Sequence, residues 1–165
     1  MGSGEEGGHS RVDSDRLQGV PWFAACTKEQ LDEIARLAER LDVQAGEVIL
    51  REGRRGRELF VLLDGSATVT REGRVVNILG AGDHFGELAA IEDQPRTATV
   101  TATTDLRVLI FGPRELDAVL AIPGFRNAIL RGMSRRIREA DDRLAAYADR
   151  AEGAKPPDGG GAAAL

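Results

Sequence analysis

The stretch FGELAAIEDQPRTATV, residues 85–100, is where this sequence changes character. Its first half reads as helix, and its last six residues alternate like a strand, with Pro95-Arg96 at the junction. Gly86 carries no side chain and lets the backbone approach a ligand closely. Glu87 to Ile91 can form little more than one helical turn. A turn that short adds little to a core, but it leaves unpaired N–H groups at its start. Those groups and the helix dipole favour an anion, best of all a phosphate. Glu87 brings a negative charge to the same spot, so its carboxylate must point elsewhere and accept hydrogen bonds, for example from sugar hydroxyls. Arg96 supplies the opposite charge, and its planar fork can hold two phosphate oxygens at once. Thr97 adds a hydroxyl. An acceptor for hydroxyls, a fork for phosphate and free N–H groups together describe a ribose phosphate. The blander alternatives are that Glu87 and Arg96 form a surface ion pair, worth under about 1 kcal/mol, and that Thr97 is simply a strand residue.

On either side of this stretch the pattern is that of short strands. Apolar runs at Val48 to Leu50, Leu59 to Leu63, Val75 to Leu79 and Leu106 to Phe111 are separated by turn residues. Asp64-Gly65 reads as a two-residue hairpin joining two of them, and Gly73, Gly80 and Gly82 mark further turns. Before the strands, Thr27 and Gln30 form a capping-box pattern that opens a helix. Leu31, Ile34, Leu37, Ala38 and Leu41 follow at helical spacing, which predicts a helix to about residue 42. After the strands, Pro113 starts a helix with an apolar stripe of Leu116, Val119 and Leu120. Ile122-Pro123-Gly124 breaks it, and a longer helix runs from about Phe125 to about Arg150. The expected fold is mainly β with flanking α: a small antiparallel β-barrel or jelly roll with one N-terminal helical segment and two C-terminal helices.

Composition bounds the remaining classes. The chain has 165 residues, 42% apolar and 30% charged, ample for one packed domain. Residues 1–18 and 151–165 are rich in Gly, Pro, Ala or charge and are expected to be disordered tails around a domain at 19–150. No apolar run approaches the ~20 residues that span a bilayer. The start MGSGEEGGHS is too polar for a secretory signal, and cytoplasm is the expected compartment. A single cysteine, Cys26, excludes an intramolecular disulfide framework and a cysteine zinc cluster, and it reads as a small buried residue. The net charge of −5 argues against general nucleic-acid binding and says nothing against one small anion.

With its flanks, GDHFGELAAIEDQPRTATV (residues 82–100) resembles the phosphate-binding cassette of cyclic nucleotide-binding domains. That family includes the catabolite activator protein, cyclic-nucleotide-dependent kinases and gated channels. The match is to Phe85-Gly86-Glu87-Leu88-Ala89, a gap of five, then Pro95-Arg96-Thr97-Ala98. The resemblance extends over roughly residues 20–150 through the flanking strands, the Gly65 turn and the order of helices. It implies a non-catalytic sensor that binds cyclic AMP or cyclic GMP and needs no cofactor and no metal. Glu87 would accept the ribose 2′-hydroxyl, and Arg96 would pair with the exocyclic phosphate oxygens. Backbone N–H groups near Gly86, Leu88, Ala89 and Ala98 would touch phosphate or sugar. Thr97 stands where a hydroxyl goes with cyclic GMP preference in some members, but it also occurs in members that bind cyclic AMP.

The last helix carries Arg131, Arg135, Arg136, Arg138 and Arg143 among acidic residues, which reads first as a solvated face. From the resemblance, Ser134, Arg131 and Arg135 are candidate caps over the base. Met133, Ile137, Ala140, Leu144 and Tyr147, spaced 4, 3, 4, 3, make a homodimer through this helix a candidate. Three other functions are compatible with a small barrel of this kind. An activator-type regulator needs a helix-turn-helix, and none can be drawn in the tail, so direct DNA binding is not expected unless the chain is a fragment. A cupin-type metal enzyme needs several histidines, and His84 alone lies in the barrel, with His9 in the tail. A non-sensing interaction scaffold would be expected to lose Glu87 and Arg96. The effector that receives the signal is not identified by the sequence.

Overall fold

The computed structural model describes residues 11–154. The chain divides at Leu130/Arg131 into two compact units.

The first unit opens with α1 (Ser14–Gln18), a single 3-10 turn (Pro21–Phe23) and α2 (Lys28–Leu37). The expectation of disorder through residue 18 therefore fails in its last part. Asp13 caps α1 by accepting from the Asp15 N–H, and Leu17 is 1% exposed. Residues 1–10 and 155–165, where the rest of the predicted tails fall, lie outside the described residues. The C-terminal helix also runs further than expected, to Gly153. The capping box forms as read: Gln30 N–H donates to Thr27 Oγ1 and Thr27 N–H to Gln30 Oε1, both at 3.2 Å. Cys26 is half-buried rather than fully buried.

α2 stops at Leu37, five residues short of the expectation. Ala38 turns extended (φ −92°, ψ 146°), and the chain becomes β1 (Glu39–Val43). Leu37, Ala38 and Leu41 fit a helical period, but Leu41 and Val43 equally fit a strand period of two. Pairing with β8 (Leu106–Phe111), from Glu39↔Ile110 to Val43↔Leu106, decides the matter. Tertiary context overrides a weak local preference here.

The remaining strands are β2 (Val48–Leu50), β3 (Leu59–Asp64), β4 (Ala67–Arg71), β5 (Arg74–Leu79), β6 (His84–Phe85) and β7 (Thr99–Ala102). They form two four-stranded antiparallel sheets, in the orders β1-β8-β3-β6 and β2-β7-β4-β5. The sheets enclose a core of Leu50, Phe60, Leu62, Leu79, Phe85, Val100 and Val108, among others. This is the jelly-roll class the sequence implies.

Asp64-Gly65 is not a hairpin. β3 and β4 belong to different sheets, so the turn carries the chain from one layer to the other. A Cβ on Gly65 would run into the Asp105 backbone oxygen and Leu106, which shows how closely the crossing packs on the start of β8. The two-residue hairpin is Glu72-Gly73, between Arg71 and its partner Arg74. Both residues have positive φ, 50° and 75°, as a type I′ turn requires.

Helix α4 (Pro113–Leu120) starts on Pro113 at its first turn, as expected. Helix α5 (Pro123–Gly153) begins on Pro123, and its first turns bury Phe125, Ala128 and Ile129. Phe125 packs edge-on against Trp22 (4.9 Å between centroids) and Phe111 (5.0 Å), tying the N-terminal segment, the barrel and α5 together. Such edge-to-face pairs are worth roughly 0.5–1.5 kcal/mol each beyond their buried area. The second unit consists, among the described residues, of the rest of α5 and Ala154.

Candidate functional site

The site is assembled around α3 (Glu87–Glu92), the one-turn helix between β6 and β7. Its N-cap is Gly86, with φ 83°, and no side chain caps it. The β3–β6 register sets Phe60 opposite Phe85, and their rings stack at 4.9 Å with planes 2° apart. This pair forms the floor beside Gly86. A Cβ on Gly86 would come within 2.7 Å of the Glu58 backbone oxygen and 2.8 Å of Arg96 Nη1. The room at Gly86, which the sequence reading gave to a ligand, is therefore used first by Arg96.

Arg96 is 5% exposed, and its main chain is anchored to the β2–β3 loop. Its N–H donates to the Arg54 oxygen at 2.9 Å, and its own oxygen accepts from the Gly53 N–H at 2.8 Å. Nη1 donates to the backbone oxygens of Glu58 and Gly86, and Nη2 to the Glu58 backbone oxygen, all at 3.1 Å. Nη2 also donates to Glu58 Oε2 at 2.9 Å. The guanidinium carbon lies 6.0 Å from the Phe60 ring centre, at the limit of a cation–π contact. Burial pushes the Arg96 pKa below its ordinary value, while the Glu58 carboxylate and, less strongly, that of Glu87 push it back up. A guanidinium stays charged under such a shift, so the site keeps a buried positive charge.

Glu87 is also buried, at 6% exposure, where a surface ion pair would leave it in solvent. Its Oε1 lies 3.9 Å from Nε2 of the fully buried His84. The two charged residues that the sequence singled out thus occupy one buried region, and the Glu87 charge is felt at Arg96. Of the other cassette residues, Ala89 is buried, Leu88 is 40% exposed, and Ala98 is half-buried. Thr97 is exposed in a bend and its backbone oxygen accepts from Arg71 Nε at 3.1 Å. The strand begins only at Thr99, so Pro95 to Ala98, which the sequence pattern joined to it, lie outside it.

Glu58 and Gly56 were not found from the sequence. Glu58 stands 38 positions before Arg96, and no local spacing links the two. The signal that could have pointed to it is general: a buried arginine requires a carboxylate partner. A cavity of 610 Å³ opens beside Arg96, with Gly56, Glu58, Phe60 and the arginines Arg51, Arg54 and Arg55 in its lining.

Ser134, Arg131 and Arg135 lie in the second unit, all exposed on α5. Ser134 Oγ accepts from Arg138 Nη1 at 2.8 Å, and Arg135 lies 3.9 Å from Glu139. Ile137, Leu144 and Tyr147 are each more than 60% exposed. Among the described residues no group of three or more His, Cys, Asp or Glu could hold a metal ion, and no helix is long and apolar enough to cross a membrane.

The sequence profile of the cyclic nucleotide-binding domain matches residues 40–122, which covers the barrel strands from Arg40 on, α3 and all of α4. The chain belongs to the cyclic nucleotide-binding domain family. It is 37% identical over 114 residues to a cAMP-dependent protein kinase regulatory subunit of Schizosaccharomyces pombe, covering 67% of this chain and 28% of that protein. It is 41% identical over 93 residues to a cyclic nucleotide-gated potassium channel of Rhizobium etli, covering 56% of this chain and 26% of that protein. Among solved structures, the Thermus thermophilus catabolite activator protein superimposes with a TM-score of 0.66 at 25% identity, covering 78% of this chain and 63% of the other. The chain thus spans under a third of the length of these two curated relatives.

Proposed function

We propose that this chain binds a cyclic nucleotide monophosphate, cyclic AMP or cyclic GMP, as a sensor module without catalysis of its own. The observation that carries the reading is the buried positive charge of Arg96 beside the uncapped start of α3, with Glu87 buried at its first position. A ribose cyclic phosphate presents hydroxyl and anionic oxygens close together, which is what an acidic acceptor next to a guanidinium suits. In this reading Glu87 accepts the 2′-hydroxyl, and Arg96 takes the exocyclic phosphate oxygens. Backbone N–H groups near Gly86, Leu88, Ala89 and Ala98 complete the cradle, with Phe85 beneath them and Thr97 beside the phosphate.

Ser134, Arg131 and Arg135 are the residues we assign to the base, and α5 is the segment through which a homodimer would form. Signalling requires that a closed state bind the nucleotide more tightly than an open one, and we assign the movement to the C-terminal helices. The output passes to a protein effector, and the setting is cytoplasmic. The relatives named above are a kinase subunit and a channel, which supports a protein output without identifying it. Calorimetric titration with cyclic AMP and cyclic GMP tests the reading. Saturable binding of at least one is expected, and heat-silent titrations confirmed by equilibrium dialysis with both would overturn it.

A further inference from the structure

Arg96 holds more partners than a bidentate phosphate clamp leaves room for. A guanidinium has five N–H donors, one on Nε and two on each Nη. Both Nη1 donors have acceptors in the backbone oxygens of Glu58 and Gly86. Both Nη2 donors have acceptors in the backbone oxygen and the Oε2 of Glu58. Only the Nε donor remains, and one donor cannot make the two parallel bonds of a bidentate grip.

The four acceptors differ in how readily they can leave. The Glu58 backbone oxygen sits immediately before β3, and the Gly86 oxygen also accepts from Ala90 N–H at 3.1 Å at the start of α3. Moving either would disturb the fold. The Glu58 carboxylate is on a side chain that is 43% exposed, and it can rotate into water. It sits on the Nε–Nη2 edge of Arg96. A Cβ on Gly56 would lie 3.0 Å from Nη2, 3.2 Å from Nε and 2.8 Å from Glu58 Oε2, so the absence of a side chain at Gly56 keeps that edge approachable. Gly56, Glu58 and Arg96 line one cavity of 610 Å³, whose wall also carries Arg51, Arg54 and Arg55. An anion entering there meets a positive wall and one competing carboxylate on the fork.

We infer that the Glu58 carboxylate is a built-in competitor for the ligand's phosphate. It occupies the Nε–Nη2 edge of Arg96, rotates away when a phosphate takes that edge, and so sets the affinity of the site. The inference rests on the reading that Arg96 receives a phosphate. A ligand that must displace an internal partner binds more weakly by the fraction of time that partner is away. A carboxylate this exposed is held only modestly, so the penalty is roughly threefold to tenfold.

The test is the affinity of wild type, Glu58→Gln and Glu47→Gln for cyclic AMP and cyclic GMP, by calorimetry, with thermal melts to establish folding. Glutamine keeps the shape and an acceptor but gives up the charge. Glu47 lines the same cavity and makes no described bond to Arg96, so it controls for the general loss of a negative charge. The expected result is that Glu58→Gln binds at least about threefold tighter while Glu47→Gln stays within about twofold of wild type. Equal or weaker binding by Glu58→Gln means that Glu58 merely orients Arg96 and overturns the competitor role, leaving nucleotide binding intact. Equal tightening by both variants overturns it as well. Binding by Glu58→Gln alone supports it, and no binding by any of the three overturns it together with the reading beneath it.

Discussion

Replacing Gly86 by alanine separates two costs that the structure places at one residue. The first is conformational: Gly86 has φ 83°, and a Cβ in that region costs roughly 1–2 kcal/mol. The second is spatial. The new Cβ would lie 2.7 Å from the Glu58 backbone oxygen and 2.8 Å from Arg96 Nη1, and the guanidinium must move to make room. Movement breaks at least one hydrogen bond from a charged donor, roughly 1.5–3 kcal/mol. The sum for Gly86→Ala is about 2.5–5 kcal/mol. Gly73 has a similar φ of 75°, but a Cβ there meets nothing within 4 Å. Gly73→Ala should therefore show the conformational cost alone, about 1–2 kcal/mol. Urea unfolding of the two variants beside wild type gives both values from the shift in midpoint at unchanged slope. Gly86→Ala should also weaken nucleotide binding, which Gly73→Ala should not. If the two substitutions destabilise equally, the close approach of Arg96 to Gly86 is wrong, and so is the part of the site built on it.

Three further outcomes follow from other parts of the molecule. Phe125→Ala removes a fully buried ring that touches both Trp22 and Phe111, and should cost about 3–5 kcal/mol in the same urea assay. Thr27→Ala removes both the acceptor for the Gln30 N–H and the box that Gln30 closes, for a loss of about 1 kcal/mol read as a lower thermal midpoint. The Asp32 carboxyl is held below its ordinary value, first by a hydrogen bond from Ser14 and then by the charges of Lys28 and Arg36. A depressed carboxylate contributes stability that is present above its unfolded pKa and lost as pH falls through the folded value. Ser14→Ala should accordingly raise the Asp32 titration midpoint seen by carbon-13 NMR and shrink the acid-side loss of stability. An unchanged midpoint would contradict the contact.

What the sequence made legible was whatever depends on neighbours along the chain. The Thr27 box, Pro113 at a helix start and the one-turn helix after Gly86 are all fixed by residues within four positions, and all three formed. Segments whose state is set by distant partners were misread. Leu41 satisfied two periodicities, and β8, more than sixty residues on, chose between them. Asp64-Gly65 carries hairpin residues, yet it crosses between layers because β3 finds its partners in β6 and β8. β6 has two residues, too few for any alternation to show. In the site, Glu87 and Arg96 were legible because they bracket one short segment. Glu58 was not, because the fold brings it to Arg96 across 38 positions. The role of Gly86 changed for the same reason, since the group that needs its space arrives from the far side of Pro95.

The central claim is that Arg96 receives the phosphate of a cyclic nucleotide. It is tested most directly by the dissociation constants of wild type and Arg96→Leu for cyclic AMP and cyclic GMP, with circular dichroism melts to establish that the variant is folded. Loss of a charge-assisted bidentate contact should cost at least roughly 2 kcal/mol, a weakening of about thirtyfold or more for the nucleotide that binds wild type. A folded Arg96→Leu protein that binds as tightly as wild type would contradict the account.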